Sequence, residues 1–435
     1  MTVIADLEER VDDPISVALI GTGVYGSHLA YQIEETPGLR LSVLADIDRP
    51  KARRTFREAG VDEAAVVATD DAEEIAAALS AGDRVATADG VLAAEAPLDV
   101  IIEGTGDAAA GAEHAWAAID AGNDVVMVSV ETDVTAGPLL ARMAERQGVT
   151  YSMAYGDEPA QVVHLYEWAR AQGLEVVAAG QGTELTFKPH APPETALDRY
   201  DLPEQWIEEN EPDPRMYNTF LDGTKVAVEL CAAANALGFE PDTDGPHVPE
   251  TDRDGLLETL RPAEDGGVLE QTGVIDAVTP TGDNPSAFVV TKADNEVTQE
   301  YLAQRYNINT VNGGKYQVFH RPFHLPQETI YSVATAALYD RPTGVVREQT
   351  CEVVGAAKRD LEPGETIRGG GGDTVYGELE SAETADQEFL VPFELLAGAT
   401  VTQPVAQDER IARSDVELDT DSALYHLRQL QEDLL

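Results

Sequence analysis

Four polar side chains recur along an otherwise apolar stretch: Asn218, Asp222, Lys225 and Glu229. The segment Tyr217–Leu237 is rich in Phe, Leu, Val, Cys and Ala, and Gly238 then supplies a helix stop. On a helix over 217–237, at ~100° per residue, the four fall within one stripe of about 60°. Solvent-facing positions elsewhere in this chain are acids, so a lysine here marks a site rather than a wet face. Gly223 inside the same helix costs about 1 kcal/mol relative to alanine, which points to a group approaching closely. Such a lysine can protonate, or hold electrostatically, an oxygen that becomes alkoxide when hydride reaches its carbon. Asp222 and Glu229 can position hydroxyls, relay protons or ligate Mg²⁺ or Mn²⁺ through oxygen.

A hydride chemistry needs a carrier, and the N-terminal region holds the elements for one. The strand Ile15–Ile20 runs into Gly21-Thr-Gly23-Val24-Tyr25-Gly26 and then into a helical segment. In this G-x-G-x-x-G spacing Gly21 permits a tight turn, Gly23 lets backbone approach a pyrophosphate, and Gly26 lets the helix pack on the strand. The phosphates then meet the positive end of the helix. A second strand, Leu39–Ala45, ends in Asp46, which follows Gly21 by 25 residues and suits a ribose hydroxyl. Arg49, with Lys51, Arg53 and Arg54, forms the densest basic cluster of the chain and could neutralise a 2′-phosphate. The cofactor is therefore read as NAD(P), leaning to NADP. Further strands end at Glu103-Gly104-Thr105-Gly106 and, after Asp124–Val130, at Glu131 and Asp133. Strand ends of this kind carry ligands in doubly wound sheets.

Outside these two regions the candidates are single residues. Asp157, in Tyr155-Gly-Asp-Glu-Pro159, reads equally as a helix cap or a site carboxylate. Lys188 and His190 could bind phosphate or a substrate oxygen. His320 and His324 are four apart, but Pro322 between them argues against a helical metal pair and for a general acid or a structural histidine.

The elements that must position these residues change along the chain. Strands and helices alternate over 1–155, the rhythm of a doubly wound parallel sheet. The 156–345 region is a less regular α+β segment holding the polar helix. From 346 to 435 the chain turns to short strands and glycines, including Gly369–Gly372. With 435 residues, two or three domains are expected. Acids outnumber bases 80 to 29, for a net charge of −51, and lysine occurs only at 51, 188, 225, 292, 315 and 358. That charge self-repels unless concentrated salt screens it, which points to the cytoplasm of a salt-accumulating halophile. It also excludes a nucleic-acid partner. No apolar run reaches membrane-spanning length, no signal-peptide layout opens the chain, and Cys231 and Cys351 read as small buried hydrophobes.

Gly21–Gly26, Glu103–Gly106, Val125–Gly137, Ala154–Asp157, Phe220–Lys225 and Pro322–Leu325 together resemble the homoserine-dehydrogenase-like oxidoreductases with a C-terminal SAF domain, and among them the 1-deoxyxylulose-5-phosphate reductoisomerase-like (DRL) family, of haloarchaeal type. Ala356–Glu365, Gly398–Val401 and Ile411–Val416 resemble the SAF β-clip. The resemblance implies an N-terminal Rossmann domain, an α+β catalytic domain and a small β-rich SAF domain. It also implies NADPH, a divalent metal and a small phosphorylated sugar or aldehyde as substrate. Asp222 and Lys225 match the Asp and Lys of homoserine dehydrogenases in type, though here they are three apart. Catalytic roles are thus expected for Lys225, Asp222, Glu229, His324 and Lys188, metal ligation for Asp157, Asp222 and Glu229, and cofactor contact for Gly21–Gly26, Asp46, Arg49, Glu103–Gly106 and Glu131. A homo-oligomer is expected for the class. Two other readings stay open: a reductase that needs no metal, and a non-catalytic cofactor-binding scaffold or sensor.

Overall fold

In the computed structural model, the strands that precede glycine turns are apolar on both faces, as a parallel sheet covered by helices requires. The structure describes residues 2–200, 202–203, 205–207, 212–279, 284, 286–323 and 325–435. They pack as two compact units, Met1–Ala160 with His324–Arg347 and Ser422–Leu435, and Gln161–Phe323 with Glu348–Asp421. The three consecutive segments read from sequence are therefore interleaved. Chain from 324–347 and the C-terminal tail return to the first unit.

The first unit is built on seven parallel strands: β1 (Ile15–Ile20), β2 (Leu39–Ala45), β3 (Val66–Ala68), β4 (Arg84–Thr87), β5 (Val100–Glu103), β6 (Asp124–Met127) and β7 (Tyr151–Met153). Their spatial order is β3-β4-β2-β1-β5-β6-β7, so this is the expected doubly wound sheet. The order reverses direction between β1 and β5, which opens a crevice beyond their carboxyl ends. Leu19, Leu29, Ile33, Leu41, Leu44 and Phe56 are fully buried beneath it.

The tail helix Ala423–Leu434 joins this unit for a specific reason. Pro138 interrupts the helix Val130–Gln147, because it lacks an amide donor. Beside it, Gln431 accepts from the Leu139 amide at 3.0 Å and donates to the Thr135 carbonyl at 3.4 Å. The helix Val130–Gln147 also corrects the sequence reading at its start. The strand expected to reach Val130 stops at Met127, so Glu131 and Asp133 lie in the first turn of a helix rather than at a strand end.

The second unit holds a mixed sheet of β8 (Glu175–Gly182), β9 (Val274–Val278), β10 (Ala287–Lys292), β11 (Asn309–Val311) and β12 (Tyr316–Arg321), in the order β11-β12-β10-β8-β9. Only β8 and β9 run parallel. An antiparallel hairpin, β13 (Cys351–Ala357) with β14 (Val375–Ser381), and a short pair, β15 (Thr400–Val401) with β16 (Val416–Glu417), complete it. The helix Thr224–Leu237 is buried over nearly its whole length. Gly377 on β14 meets it closely: a Cβ there would lie 3.1 Å from the Thr224 methyl, and the Gly377 amide donates to the Thr224 hydroxyl at 2.9 Å. The hairpin thus fixes the start of the helix that carries Lys225. Cys231 and Cys351 are both free and buried.

Candidate active site

β1 ends at Ile20 and Gly21 turns the chain at φ 96°. A Cβ at Gly21 would lie 2.4 Å from the carbonyl oxygen of Gly104, just past β5, and one at Gly26 would lie 2.1 Å from the Gly21 oxygen. Both glycines are therefore demanded by the packing of backbone on backbone. Gly23 is different. Its φ of −65° suits any residue, and a Cβ there would meet nothing within 4 Å. The space beside Gly23 opens at the start of the helix Val24–Glu35, where the first amides have no intrahelical acceptor and no side chain caps them. Asp71, Asp89 and Asp107 do cap other helices of this sheet. Open space, small residue and uncapped amides together suit a pyrophosphate. Val24 is exposed. The Tyr25 hydroxyl is instead engaged with Thr329 at 2.8 Å, and burial raises its pKa.

Asp46 fastens this turn to β2. Its Oδ2 accepts from the Thr22 amide at 3.0 Å and the Thr22 hydroxyl at 2.5 Å, its Oδ1 accepts from the Asp48 amide at 2.9 Å, and Lys51 Nζ lies 3.5 Å away. Burial alone would raise the Asp46 pKa, but these donors together hold it below the usual carboxylate range. A carboxylate has about four acceptor sites, which leaves capacity for a ribose hydroxyl. Arg49 pairs with Asp70 at 2.6 Å, so a 2′-phosphate would have to compete for it.

Glu103 is wholly buried and shapes the next turn. Its Oε1 accepts from the Thr105 amide and hydroxyl at 3.2 and 2.5 Å and faces His114 Nδ1 at 3.4 Å. The Gly106 amide donates to the Ser129 hydroxyl at 2.8 Å. Any cofactor contact here falls to the backbone of Gly104, Thr105 and Gly106 rather than to the Glu103 carboxylate. Deeper in the same unit, Asp133 is fully buried and receives the Tyr151 hydroxyl at 2.7 Å. Burial pushes its pKa up to about 7; the Tyr151 bond opposes the rise, and the charges of Glu131, Asp157 and Glu103 add to it. Glu131 is half-buried, and Asp157 is buried immediately before the helix Glu158–Ala171. Glu158, which the sequence reading passed over, is buried as well.

In the second unit the polar stripe is not one helix. Gly223 adopts φ 94° and divides it into Pro214–Asp222 and Thr224–Leu237. The glycine is there for its backbone and for Phe187, whose ring a Cβ would approach to 3.4 Å. The break separates the four side chains. Asn218 donates to the carbonyls of Ala191 and Gly371. Asp222 accepts from the Thr224 amide at 2.9 Å and pairs with Lys358 Nζ at 2.7 Å. Lys225 and Glu229 stay on one face, with Nζ and Oε1 3.8 Å apart. Glu229 also accepts from Gln181 Nε2 at 2.7 Å, and its side chain is 1% exposed against 18% for Lys225.

Lys358 was given no role in the sequence reading, yet it is a deeply buried and fully engaged cation. Its ammonium is 2% exposed and donates to Asp222, to the Ala191 carbonyl at 3.1 Å and to the Gly372 carbonyl at 2.7 Å. All three of its protons are used. Burial pushes the Asp222 pKa up, and Lys358 and Thr224 offset only part of that. Asp222 is thereby removed from the expected metal ligands, because a cation there would have to displace an ammonium. The signal for Lys358 in the sequence was a scarce lysine directly after a largely apolar strand. A cavity of about 270 Å³ opens beside Asp222 and Gly223, walled by Phe187, Val226, Leu230 and Tyr376 and bearing Asp244, Glu378 and Arg410. Lys188 lines a separate cavity of the same unit. His320 lies exposed on β12, and His324 is outside the described residues.

Residues 156–328, about two fifths of the chain, match the family described as Oxidoreductase DRL, catalytic domain. This match supports an oxidoreductase. No curated protein matches the chain. Among solved structures, 1-deoxy-D-xylulose 5-phosphate reductoisomerase from Zymomonas mobilis in complex with NADPH is similar at 17% identity and TM-score 0.35, over 51% of this chain and 58% of that one. An NAD binding oxidoreductase from Klebsiella pneumoniae is similar at 18% identity and TM-score 0.33, over 65% and 64%. A myo-inositol dehydrogenase from Corynebacterium glutamicum is similar at 14% identity and TM-score 0.39, over 77% and 91%.

Three outcomes are expected from this geometry. Gly23→Ala keeps the thermal melting temperature but weakens NADPH or NADH binding at least tenfold, whereas Gly26→Ala costs about 3 kcal/mol or more of stability because backbone must move; melts and cofactor titration separate the two. Lys358→Met loses about 3–5 kcal/mol at neutral pH by stranding the Asp222 charge, and adding Asp222→Asn recovers part of it; urea unfolding measures both. Between the ordinary carboxylate pKa and about 7, native Asp133 holds a proton that the unfolded chain has released. Stability therefore falls as pH rises through that window. Asp133→Asn lacks this loss, so its urea midpoint matches the parent near pH 4 and exceeds it at pH 8, by on the order of 4 kcal/mol in free energy.

Proposed function

We propose that this chain is an NAD(P)H-dependent oxidoreductase acting on a small, phosphorylated sugar or aldehyde. The observation that carries the reading is the turn in which Gly21 and Gly26 are required by packing while Gly23 is not, beside an anchored Asp46. A pyrophosphate lying against this backbone accounts for a glycine at 23, where packing alone does not require one.

A bound reduced nicotinamide supplies hydride to a carbonyl carbon. The residues of this chain manage the oxygen. Lys225, partly exposed beside the buried Glu229 carboxylate, is the proposed donor of the proton that the oxygen takes as it becomes an alcohol. Glu229, held by Gln181, orients the ammonium. Asp222 belongs to the framework through Lys358 rather than to the reacting groups.

A divalent ion, when bound, would polarise a substrate oxygen. Glu229 is a buried carboxylate of the hard-oxygen type that Mg²⁺ or Mn²⁺ takes, and is the residue of this helix proposed to ligate it. The small antiparallel sheets after Glu348 are consistent with an SAF-like segment.

Lys225→Met tests the proposal. Cofactor affinity is expected to stay within about twofold while kcat falls by 10²-fold or more with sugar phosphates or aldehydes. Turnover unchanged in that variant would remove Lys225 from the chemistry. Loss of activity on EDTA treatment, restored by Mn²⁺, is expected; activity indifferent to chelation would favour the metal-free reductase.

A further inference from the structure

Five of the six lysines lie within 4.0 Å of a carboxylate: Lys51, Lys225, Lys292, Lys315 and Lys358. That is what a chain with 80 acids and 29 bases dictates. Lys188 is the exception among the described residues, and it is exposed. It lines a cavity of about 250 Å³ with Arg199, His190 and Thr195, walled by prolines and Leu221. Arg199 likewise has no carboxylate partner among the described residues. Among the described residues no acid lines this cavity, although Glu194 and Asp198 lie in the same stretch of chain.

The backbone that presents these groups is fixed before any ligand arrives. The Lys188 amide donates to the Leu221 carbonyl at 2.7 Å, and the Ala191 carbonyl is held by both Asn218 and Lys358. Pro189, Pro192 and Pro193 stiffen the segment. His190 is oriented by Asp408, 2.6 Å from Nε2. Two cations without a carboxylate partner among the described residues, on a preorganised wall where the acid Asp408 is engaged with His190, suit a compact, multiply charged anion. A guanidinium offers paired donors and an ammonium a point charge.

We propose that Lys188 and Arg199 form a binding site for a phosphate group. The group arrives either as free phosphate or on a small phosphate ester. The site does not rest on the hydride-transfer reading, because binding is measured without turnover.

The test is calorimetric titration of the full-length protein, and of Lys188→Gln/Arg199→Gln, with inorganic phosphate, glycerol 3-phosphate and glycerol in a chloride background. Both substituted residues are exposed, and melting curves check that the variant folds. Phosphate or its ester is expected to bind the parent and to bind the variant at least tenfold more weakly, with glycerol binding neither. Ester binding without inorganic phosphate binding marks a phosphorylated metabolite as the source; the converse marks a free anion. Lysine acylation of the parent, read by mass spectrometry, needs no variant: the phosphate species that binds is expected to slow modification of Lys188 severalfold while chloride does not. Equal affinities in parent and variant, or Lys188 acylation unchanged by either phosphate species, overturns the site.

Discussion

The structure of the first unit depends on three glycines whose backbones touch. Gly21 lies against Gly104 and Gly26 lies against Gly21, each so close that a methyl group would overlap a carbonyl oxygen. This contact ties the ends of β1 and β5 to the helix Val24–Glu35 at the point where strand order reverses. Non-bonded backbone contacts of this kind are unforgiving, because neither partner has a rotamer to relax into. Their consequence is an empty space beside Gly23 with helix amides at its edge. Asp46 completes the arrangement by pulling Thr22 toward β2, so the turn is held from both sides before a cofactor arrives.

The second unit is organised by a different kind of constraint. Lys358 and Asp222 form an ion pair shielded from water, and isolating either charge there is costly. The pair persists because the remaining protons of Lys358 go to the Ala191 and Gly372 carbonyls. One ammonium thereby joins the end of the helix Pro214–Asp222, the segment around Ala191 and the glycine loop after β13. Gly223 then reverses the backbone locally and the Asp222 carboxylate caps the next helix through Thr224. Lys225 and Glu229 inherit their position from this clamp rather than from a continuous helix.

The Rossmann sheet could be read from the chain because its signals are local: apolar runs, glycine spacing and an acid at the end of β2. The helices Ala72–Ala81 and Ala108–Ala121 obey the same local rules, each capped by an aspartate and closed by a glycine. The helix across Gly223 did not. A glycine between two helix-forming runs reads as an interior cost, and only the αL backbone shows it to be a junction. Glu131 and Asp133 were misplaced because β6 is short and the apolar run continues into the helix. Lys358 was passed over because its partner lies 136 residues away, and no spacing rule reaches that far. The interleaving of the two units has the same origin, since Gln431 reaches back to a defect created by Pro138.

Hydrogen–deuterium exchange of the full-length protein, with and without saturating NADPH, tests the central claim most directly. Cofactor binding at the proposed turn predicts slowed exchange at the amides of Gly23–Gly26 and Gly104–Gly106. Unchanged exchange at both turns, with NADPH and with NADH at millimolar concentration, would contradict the account.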